Sequence, residues 1–355
     1  MLGIDPRAAR AAWTVFLVAL AVAASYAIRE TLVVLMIALL FAYLLMPLIA
    51  TVERYTPGRI SPRFALVIVY VALLGIIVAL GLTVGLRIGE EASNLATRLP
   101  DLLKNRQWID TIPLPYWAEP VRARLVQSLQ GELDNGGKDV LPYVKTLGGQ
   151  LLYGMRYSIY IVLIPILSFF FLKDGRTMRE SMLSGFSVRK QRVMVDEILD
   201  DINRLLGKYM RALVLLGLSG FIAYTIFLES TGAQYGVLLA CIAGLGEFLP
   251  VVGPAAAGAV ALLVTGLSGY QHLLAFAIFW LVLRIFQDYV VSPYVMGKGV
   301  ELNPLLVLFG VLAGEQIAGV VGMFFSIPVI ATLRILFVRM QRAQARESAA
   351  PRSEK

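Results

Sequence analysis

Residues 244–254 read Gly244-Leu245-Gly246-Glu247-Phe248-Leu249-Pro250-Val251-Val252-Gly253-Pro254. Proline removes a backbone hydrogen bond and clashes with the preceding helical turn, and glycine inside a helix costs about 1 kcal/mol relative to alanine. This stretch therefore cannot form a plain helix. The sequence on both sides is apolar, which puts the break at membrane depth, where non-helical backbone is tolerated only if it is buried in protein or lines a wet cavity. The stretch predicts a broken helix that contributes to a binding site.

The composition excludes a soluble protein. Of the 355 residues, 58% are hydrophobic and only 16% are charged, against about 25% charged residues in ordinary soluble domains. A polytopic membrane protein is the class that remains. Cys241 and His272 are the sole cysteine and histidine, so we expect no disulfide, no metal site and no cofactor. The net charge of +8 is typical of cytoplasmic loops in a membrane protein rather than of nucleic-acid binding.

The apolar runs define the organisation of the chain. Five runs are long enough to cross the bilayer, which takes about 20 apolar residues: residues 11–28, 31–52, 64–86, 151–172 and 212–228. The rest of the C-terminal half is predicted to contain broken or re-entrant helices. We therefore expect an all-α membrane protein with about eight membrane segments, divided into scaffold spans (1–88), an external amphipathic helical cap (89–150), a proline-kinked span (151–172), a cytoplasmic basic helical connector (173–208), a transport core (209–340) and a disordered cytoplasmic tail (341–355).

The distribution of lysine and arginine sets the orientation of the chain. Basic residues precede the first run, lie between the second and third, and crowd residues 173–208 and 334–355, whereas residues 229–234 carry none. The positive-inside rule then places both termini in the cytoplasm. Residues 89–150 lie outside and show apolar residues at helical spacing. Their apolar face must dock on the membrane surface, the transport core or a neighbouring subunit, and on this basis we expect a homo-oligomer.

Two further stretches carry breaks. The first contains Pro165 within an apolar run, which indicates a kinked span. The second runs from Gln287-Asp288 through Pro293 and Asn303-Pro304 to Pro328 and is rich in glycine. Residues 303–337 would be roughly 52 Å long as one helix, which exceeds a single crossing. A break or hairpin near residues 310–319 is therefore predicted.

Taken together, these stretches resemble the autoinducer-2 exporter family of bacterial membrane proteins. The resemblance covers nearly the whole chain and is strongest over residues 143–334. It implies a bacterial inner-membrane exporter of small molecules or ions; members are linked to export of autoinducer-2, and others to exchange of sodium or lithium for protons. The family more often has an amide or an apolar residue where this chain has Glu247. The matching residues are Leu172-Lys173-Asp174, Phe248-Leu249-Pro250, Gly253-Pro254, Pro293, Gly297, Leu302, Pro304-Leu305, Gly314, Gly319, Gly322 and Ile327-Pro328.

Ionisable residues inside a membrane are costly and are functional candidates by default. Glu247 either binds a cation or proton, or lies hydrated at the interface. Asp288 lies four residues after Arg284, on the same helix face, so the two form either a neutralising ion pair or a proton-coupling pair. Glu315 falls in the glycine-rich turn and could approach the site. Asn303 could ligate a cation, but capping a helix N-terminus is the better-supported role.

The sequence therefore predicts a secondary transporter that exports a small polar solute similar to autoinducer-2 by alternating access, driven by a proton or monovalent cation. A sodium (lithium)/proton antiporter is the alternative. A channel or membrane scaffold is less favoured, because the charges are isolated rather than arranged in rings, and no nucleophile lies beside a base, as an enzyme would need. The predicted binding residues are Glu247, Pro250, Gly253, Pro254, Asp288, Asn303 and Glu315, with Pro165, Arg284, Gly314 and Gly319 in structural or tuning roles.

Overall fold

The computed structural model describes residues 6–55, 62–104, 158–296 and 303–349, and these form helices joined by short connections, with no strand. Most of the predicted external cap lies outside the described residues. The helices are α1 (Pro6–Ala27), α2 (Arg29–Tyr55), α3 (Pro62–Leu80), α4 (Leu86–Lys104), α5 (Ser158–Ser184), α6 (Arg189–Ser230), α7 (Gly236–Gly246), α8 (Val252–Leu267), α9 (Leu273–Phe286), α10 (Ser292–Met296) and α11 (Pro304–Ala349). Two π-helical turns, Gly81–Gly85 and Gln287–Val291, connect α3 to α4 and α9 to α10.

By length and composition, five of the described helical segments are long and apolar enough to cross a membrane, namely Arg29–Tyr55, Phe64–Arg98, Arg189–Ser230, Leu273–Tyr294 and Leu305–Arg342. The last of these is broken at Ala318 and Gly319 and is not one straight helix. Three more are apolar but shorter, namely Ala12–Ala27, Gly236–Gly246 and Val252–Leu267. The chain is thus an all-helical membrane protein with several spans. The expected number of about eight membrane segments is not confirmed by these lengths. Helix α5 continues through Pro165 without interruption.

Helix α6 is the centre of the fold and packs against α2, α5, α7, α9, α10 and α11. Its 42 residues correspond to roughly 63 Å of helix, about twice the hydrocarbon thickness. One continuous helix therefore contains most of the predicted cytoplasmic connector (173–208) and the whole predicted span 212–228. The boundary predicted at residue 208 lies inside this helix and not at its end. One side of its apolar half contributes to a core cluster with α2 and α11 that includes Leu40, Tyr209 and Phe325.

The polar half of α6 holds two arginines from other helices. Arg179 of α5 lies 2.5 Å from Asp196 and 2.6 Å from Asp200, and Arg339 of α11 pairs with Glu197 and with Asp201, the latter at 2.6 Å. Each carboxylate pair is spaced i, i+4 and so presents one face to one arginine. Hydrogen bonds to Asp200 and Asp196 hold the pKa of the Arg179 guanidinium above its ordinary value, so it stays charged at any physiological pH.

Replacement of Arg339 by glutamine is expected to lower the thermal midpoint of unfolding more at low salt than at high salt, because salt screens charges that are partly exposed to water. Thermal unfolding of the detergent-purified variant in low and in molar sodium chloride measures this. Arg342→Gln is the matched control, since Arg342 is exposed and forms no ion pair with a described residue. An equal loss of stability in the two variants would contradict the role given to Arg339.

Candidate functional site

The stretch Gly244–Pro254 forms the tip of a helical hairpin, which we call hairpin A (α7, the turn 247–251 and α8). Its arms approach so closely at the tip that a Cβ on Gly253 would overlap the carbonyl oxygen of Gly246 and would lie 2.7 Å from its carbonyl carbon. Hairpin A also packs tightly on α6, because a Cβ on Gly244 would lie 2.8 Å from the carbonyl oxygen of Gly217. Glycine at these positions therefore lets three backbones meet, as is common where membrane helices pack.

The turn of hairpin A holds a strained residue. Val251 has φ 66° and ψ −54°, and the amide of Val252 donates a hydrogen bond of 2.7 Å to the carbonyl oxygen of Pro250. This is the classic γ-turn, which is rare, and positive φ is a genuine outlier for a β-branched residue. Backbone strain of this kind is found at functional sites, where the surrounding structure imposes it.

We expect Val251→Gly to raise the free energy of unfolding by about 1 kcal/mol. Relief of strain contributes about 1–3 kcal/mol, and the added freedom of glycine in the unfolded chain removes roughly 0.5–1 kcal/mol. Val252→Gly is the control, because Val252 has an ordinary helical conformation and its replacement is expected to destabilise the protein. Thermal unfolding of the two variants measures the difference. If the Val251→Gly variant is no more stable than the Val252→Gly variant, the backbone of Val251 is not strained.

A small recess lies behind the tip of hairpin A. Ten residues from α6, hairpin A, α9 and the π-helical turn line it: Gly220, Tyr224, Ala243, Glu247, Pro254, Ala257, Trp280, Leu283, Arg284 and Gln287. Its volume is about 10 Å³, which is enough for about one water molecule. The recess is therefore closed to any organic solute in this conformation.

One arginine joins two carboxylates at the recess. Arg284 lies 3.5 Å from Glu247 and 2.7 Å from Asp288. The side chain of Glu247 is only 8% exposed, whereas that of Asp288 is 46% exposed. The buried carboxylate thus has the longer contact, and the three formal charges sum to −1. This group has one arginine for two carboxylates, so a proton or a monovalent cation would balance it.

Gln287 and Trp280 complete the recess. Gln287 is buried and its side-chain amide donates to the carbonyl oxygen of Leu216 and to the hydroxyl of Ser219, both at 3.3 Å. It begins a π-helical turn, a feature that is frequent at functional sites. The indole of Trp280 occupies the space that a side chain on Gly258 would fill. Gln287, Trp280 and Tyr224 are not among the predicted site residues, although Gln287 directly precedes the predicted Asp288.

The glycine-rich stretch forms a second hairpin, hairpin B, made of residues 304–317 and 320–349 of α11. The chain reverses at Ala318 and Gly319, where Gly319 has φ 58° and ψ −139°, a conformation that is essentially restricted to glycine. A Cβ on Gly314 would lie 2.6 Å from the carbonyl carbon of Gly322, so the arms touch at the tip. The break predicted near residues 310–319 is confirmed.

The predicted site residues fall into two groups. Glu247, Pro254 and Arg284 line the recess, and Asp288 contacts Arg284 there. Pro250 lies in the turn of hairpin A and Gly253 in the first turn of α8. The others lie elsewhere in the fold: Glu315, Gly314 and Gly319 at the tip of hairpin B, Asn303 at the start of α11, and Pro165 in α5.

Of these, Asn303 has a defined local role. Its side-chain oxygen accepts a hydrogen bond of 2.9 Å from the amide of Leu305, which is N-capping. Among the described residues, no group of three histidine, cysteine or acidic side chains is placed to hold a metal ion.

A polytopic helical protein with a broken-helix hairpin and a charged recess has the architecture of a membrane transporter. The family model described as AI-2E family transporter matches residues 15–342. The chain belongs to the AI-2E transporter family.

Curated relatives agree with this class. "Putative transport protein YrrI" of Bacillus subtilis (strain 168) is 24% identical over 89% of this chain and 88% of its own length. "Putative permease PerM" of Escherichia coli (strain K12) is 26% identical over 84% of both chains. The names of these relatives describe transport and no enzymatic reaction.

Proposed function

We propose that the protein exports a small polar solute across the bacterial inner membrane by alternating access, and that the recess around Glu247 and Arg284 is its transport site. The observation that carries the proposal is a buried carboxylate held by one arginine at a break between two apolar helices. Broken helices at mid-membrane provide free backbone N–H and C=O groups to substrates and ions in secondary transporters. Their presence beside Glu247 supports this location for the site.

Transport requires the recess to open. A volume of about 10 Å³ excludes a metabolite, so this conformation is a closed one. Conformational exchange that opens the recess alternately to the two faces is the general mechanism of such transporters. In the orientation that the basic residues indicate, the N- and C-termini lie in the cytoplasm.

The charges at the recess support coupling to an ion. Glu247 and Asp288 share Arg284, which leaves one negative charge to be balanced. A proton or monovalent cation that binds this group would change the balance of charge around Arg284, and movement of that ion down its gradient would supply energy for solute export.

Proteoliposomes that hold the purified protein test coupling. We would impose a proton or sodium gradient and read a pH-sensitive dye with and without the opposing cation. Ion-coupled transport predicts a dye response that requires the protein and disappears in the triple variant Glu247→Gln, Asp288→Asn, Glu315→Gln. An unchanged response in the triple variant would refute the role of these carboxylates. A response that needs only sodium or lithium would favour the antiporter, and no response with any ion would favour an uncoupled exporter or one that moves ions only together with its organic solute.

A further inference from the structure

One side of α6 carries a continuous stripe of residues that other helices do not cover. Residues three or four positions apart lie on one face of a helix, and the opposite face of α6 is buried in the core. All members of the stripe are exposed except the half-buried lysine. We call these seven residues the outer stripe: Arg204, Lys208, Arg211, Leu215, Leu218, Ile222 and Ile226. The outer stripe is thus basic at its N-terminal end and apolar over the rest of its length.

The charges of α6 indicate where the helix enters the membrane. Between Arg211 and Glu229 the helix has no charged residue, and this stretch is roughly 27 Å long, close to the hydrocarbon thickness of about 30 Å. Arg211 therefore lies at one boundary, and its Nε donates a hydrogen bond of 3.0 Å to the carbonyl oxygen of Gly207, so the guanidinium points away from the hydrocarbon. Lys208 falls in the headgroup layer, which is roughly 5–8 Å thick, and Arg204 lies roughly 10 Å from the boundary.

Two exposed tyrosines mark the same depth. Helix α9 runs antiparallel to α6, because rings in its first half contact Tyr224 and Gln287, just after its end, reaches the carbonyl oxygen of Leu216. The residues that follow therefore lie beside the more N-terminal part of α6, and α10 packs on α6 there. Tyr289 and Tyr294 in this segment are exposed. Tyrosine is enriched at the headgroup level of membranes, which agrees with the boundary given above.

The basic end of the outer stripe is not neutralised by the chain around it. Arg204, Lys208 and Arg211 form no ion pair with any described residue. Asp200 lies one turn before Arg204, but Arg179 holds it at 2.6 Å. Three positive charges at headgroup level thus lack a counter-ion in the part of the chain that the structure describes, and an anion in the headgroup layer would balance them.

We propose that the outer stripe binds an anionic phospholipid, whose phosphate is held by the three basic side chains and whose acyl chains lie along Leu215 and Leu218. Arginine binds phosphate through two parallel N–H···O bonds and lysine binds it as a point charge. In the predicted orientation this is the cytoplasmic face, where anionic lipids attract basic segments. Two copies of the chain that paired through this stripe would bring like charges together, so a lipid is the complementary partner. The proposal does not depend on the recess being a transport site.

A fluorescent reporter on the outer stripe tests the proposal. Because Cys241 is the single cysteine, Cys241→Ala provides a background in which Leu218→Cys carries the fluorophore, and the protein is reconstituted in phosphatidylcholine vesicles. Phosphatidylglycerol with a nitroxide on its acyl chain is compared with phosphatidylcholine that carries the same nitroxide. Leu263→Cys is the control position, because Leu263 is exposed and lies on α8, which has no charged residue.

We expect labelled phosphatidylglycerol to quench the reporter at Leu218 at a much lower mole fraction than labelled phosphatidylcholine, and the two lipids to quench equally at Leu263. Each basic residue near an anionic surface contributes about fivefold to binding. The preference for phosphatidylglycerol should therefore fall about fivefold for each charge removed, and it should disappear in the triple variant Arg204→Gln, Lys208→Gln, Arg211→Gln.

A second triple variant is the matched control, because it removes three exposed charges from the same helix. Its positions lie roughly 28–33 Å from Arg211, more than three Debye lengths at physiological salt, so it should keep the preference. The control variant is Arg189→Gln, Lys190→Gln, Arg192→Gln. Equal loss of preference in both triple variants, or equal quenching by the two lipids at Leu218 with the stripe intact, would overturn the proposal.

Thermal unfolding in detergent separates the lipid from other occupants. Phosphatidylglycerol should raise the midpoint of the wild-type protein, because it binds the folded state, and molar sodium chloride should reduce the rise. Arg204→Lys, Arg211→Lys keeps the charges and should retain the rise, which separates loss of charge from misfolding. An equal rise with inorganic phosphate would mean that the stripe binds a free anion. A triple glutamine variant that changes oligomeric mass but responds normally to phosphatidylglycerol would mean that the stripe contacts a second copy. Either result would overturn the proposal.

Discussion

Replacement of Arg284 by methionine is expected to lower the free energy of unfolding by about 3 kcal/mol, at the lower end of the 3–5 kcal/mol seen when one partner of a buried ion pair is removed. The lower end applies because Arg284 is itself 30% exposed. Methionine keeps the apolar stem of the side chain but leaves Glu247, which is 8% exposed, without its cation. Chemical or thermal unfolding of the purified protein in detergent measures the loss.

A second substitution separates the charge from the packing. The double variant Arg284→Met, Glu247→Gln removes both charges and is expected to recover most of the lost stability, since a neutral amide costs much less to bury than an unpaired carboxylate. Asp288→Asn alone should change stability by less than about 1 kcal/mol, because Asp288 is half exposed. If the double variant is as unstable as Arg284→Met, the loss does not come from the Glu247 charge.

Gly253→Ala is the second substitution with a large expected effect. Its Cβ would overlap the backbone of Gly246, which cannot rotate away as a side chain can. Overpacking of this kind costs about 1–3 kcal/mol and occasionally more, and it outweighs the roughly 0.5–1 kcal/mol that alanine normally gains over glycine in a helix. We therefore expect a net loss of stability.

Gly266→Ala in the same helix is the control for Gly253→Ala. A Cβ on Gly266 would lie 3.5 Å from the nearest atom of Leu273, an ordinary contact, so alanine should be neutral or stabilising there. Thermal unfolding of the two variants side by side measures the difference. Equal stability of the two variants would mean that the arms of hairpin A do not need to touch.

The sequence predicted the helical class and the position of both hairpins because their causes are local. Glycine and proline in residues 244–254 interrupt the helix through their own backbone chemistry, and the length of residues 303–337 requires a reversal that Gly319 then permits. The pairing of Arg284 with Asp288 follows from their i, i+4 spacing. These features depend on neighbours in the chain, which a single sequence displays.

The composition of the recess could not be predicted in the same way. Glu247 meets Arg284 across 36 intervening residues only because α8 turns back and α9 follows it, and Tyr224 joins them from α6. Trp280 lines the recess because Gly258 leaves a space for its indole. Contacts of this kind depend on how helices pack, and no local pattern marks the residues that take part.

The ion pairs that Arg179 and Arg339 form with α6 could not be predicted from the sequence either. The four carboxylates among residues 196–201 give a solvated helix face when they are considered alone. Their function as partners of Arg179 and Arg339 requires α5 and α11 to pack against α6. This arrangement ties hairpin B to the central helix at the end opposite to hairpin A.

The most direct test of the transport site compares two glutamates that each pair with an arginine. Glu247 contacts Arg284 at the recess. Glu229, in the last turn of α6 and close to the first residue of α7, contacts Arg87 at 2.5 Å. Gradient-driven proton flux would be measured in proteoliposomes with Glu247→Gln and with Glu229→Gln at equal protein content. We predict that Glu247→Gln abolishes the flux and that Glu229→Gln retains it. Wild-type flux in Glu247→Gln, or equal loss in both variants, would contradict a transport site at the recess.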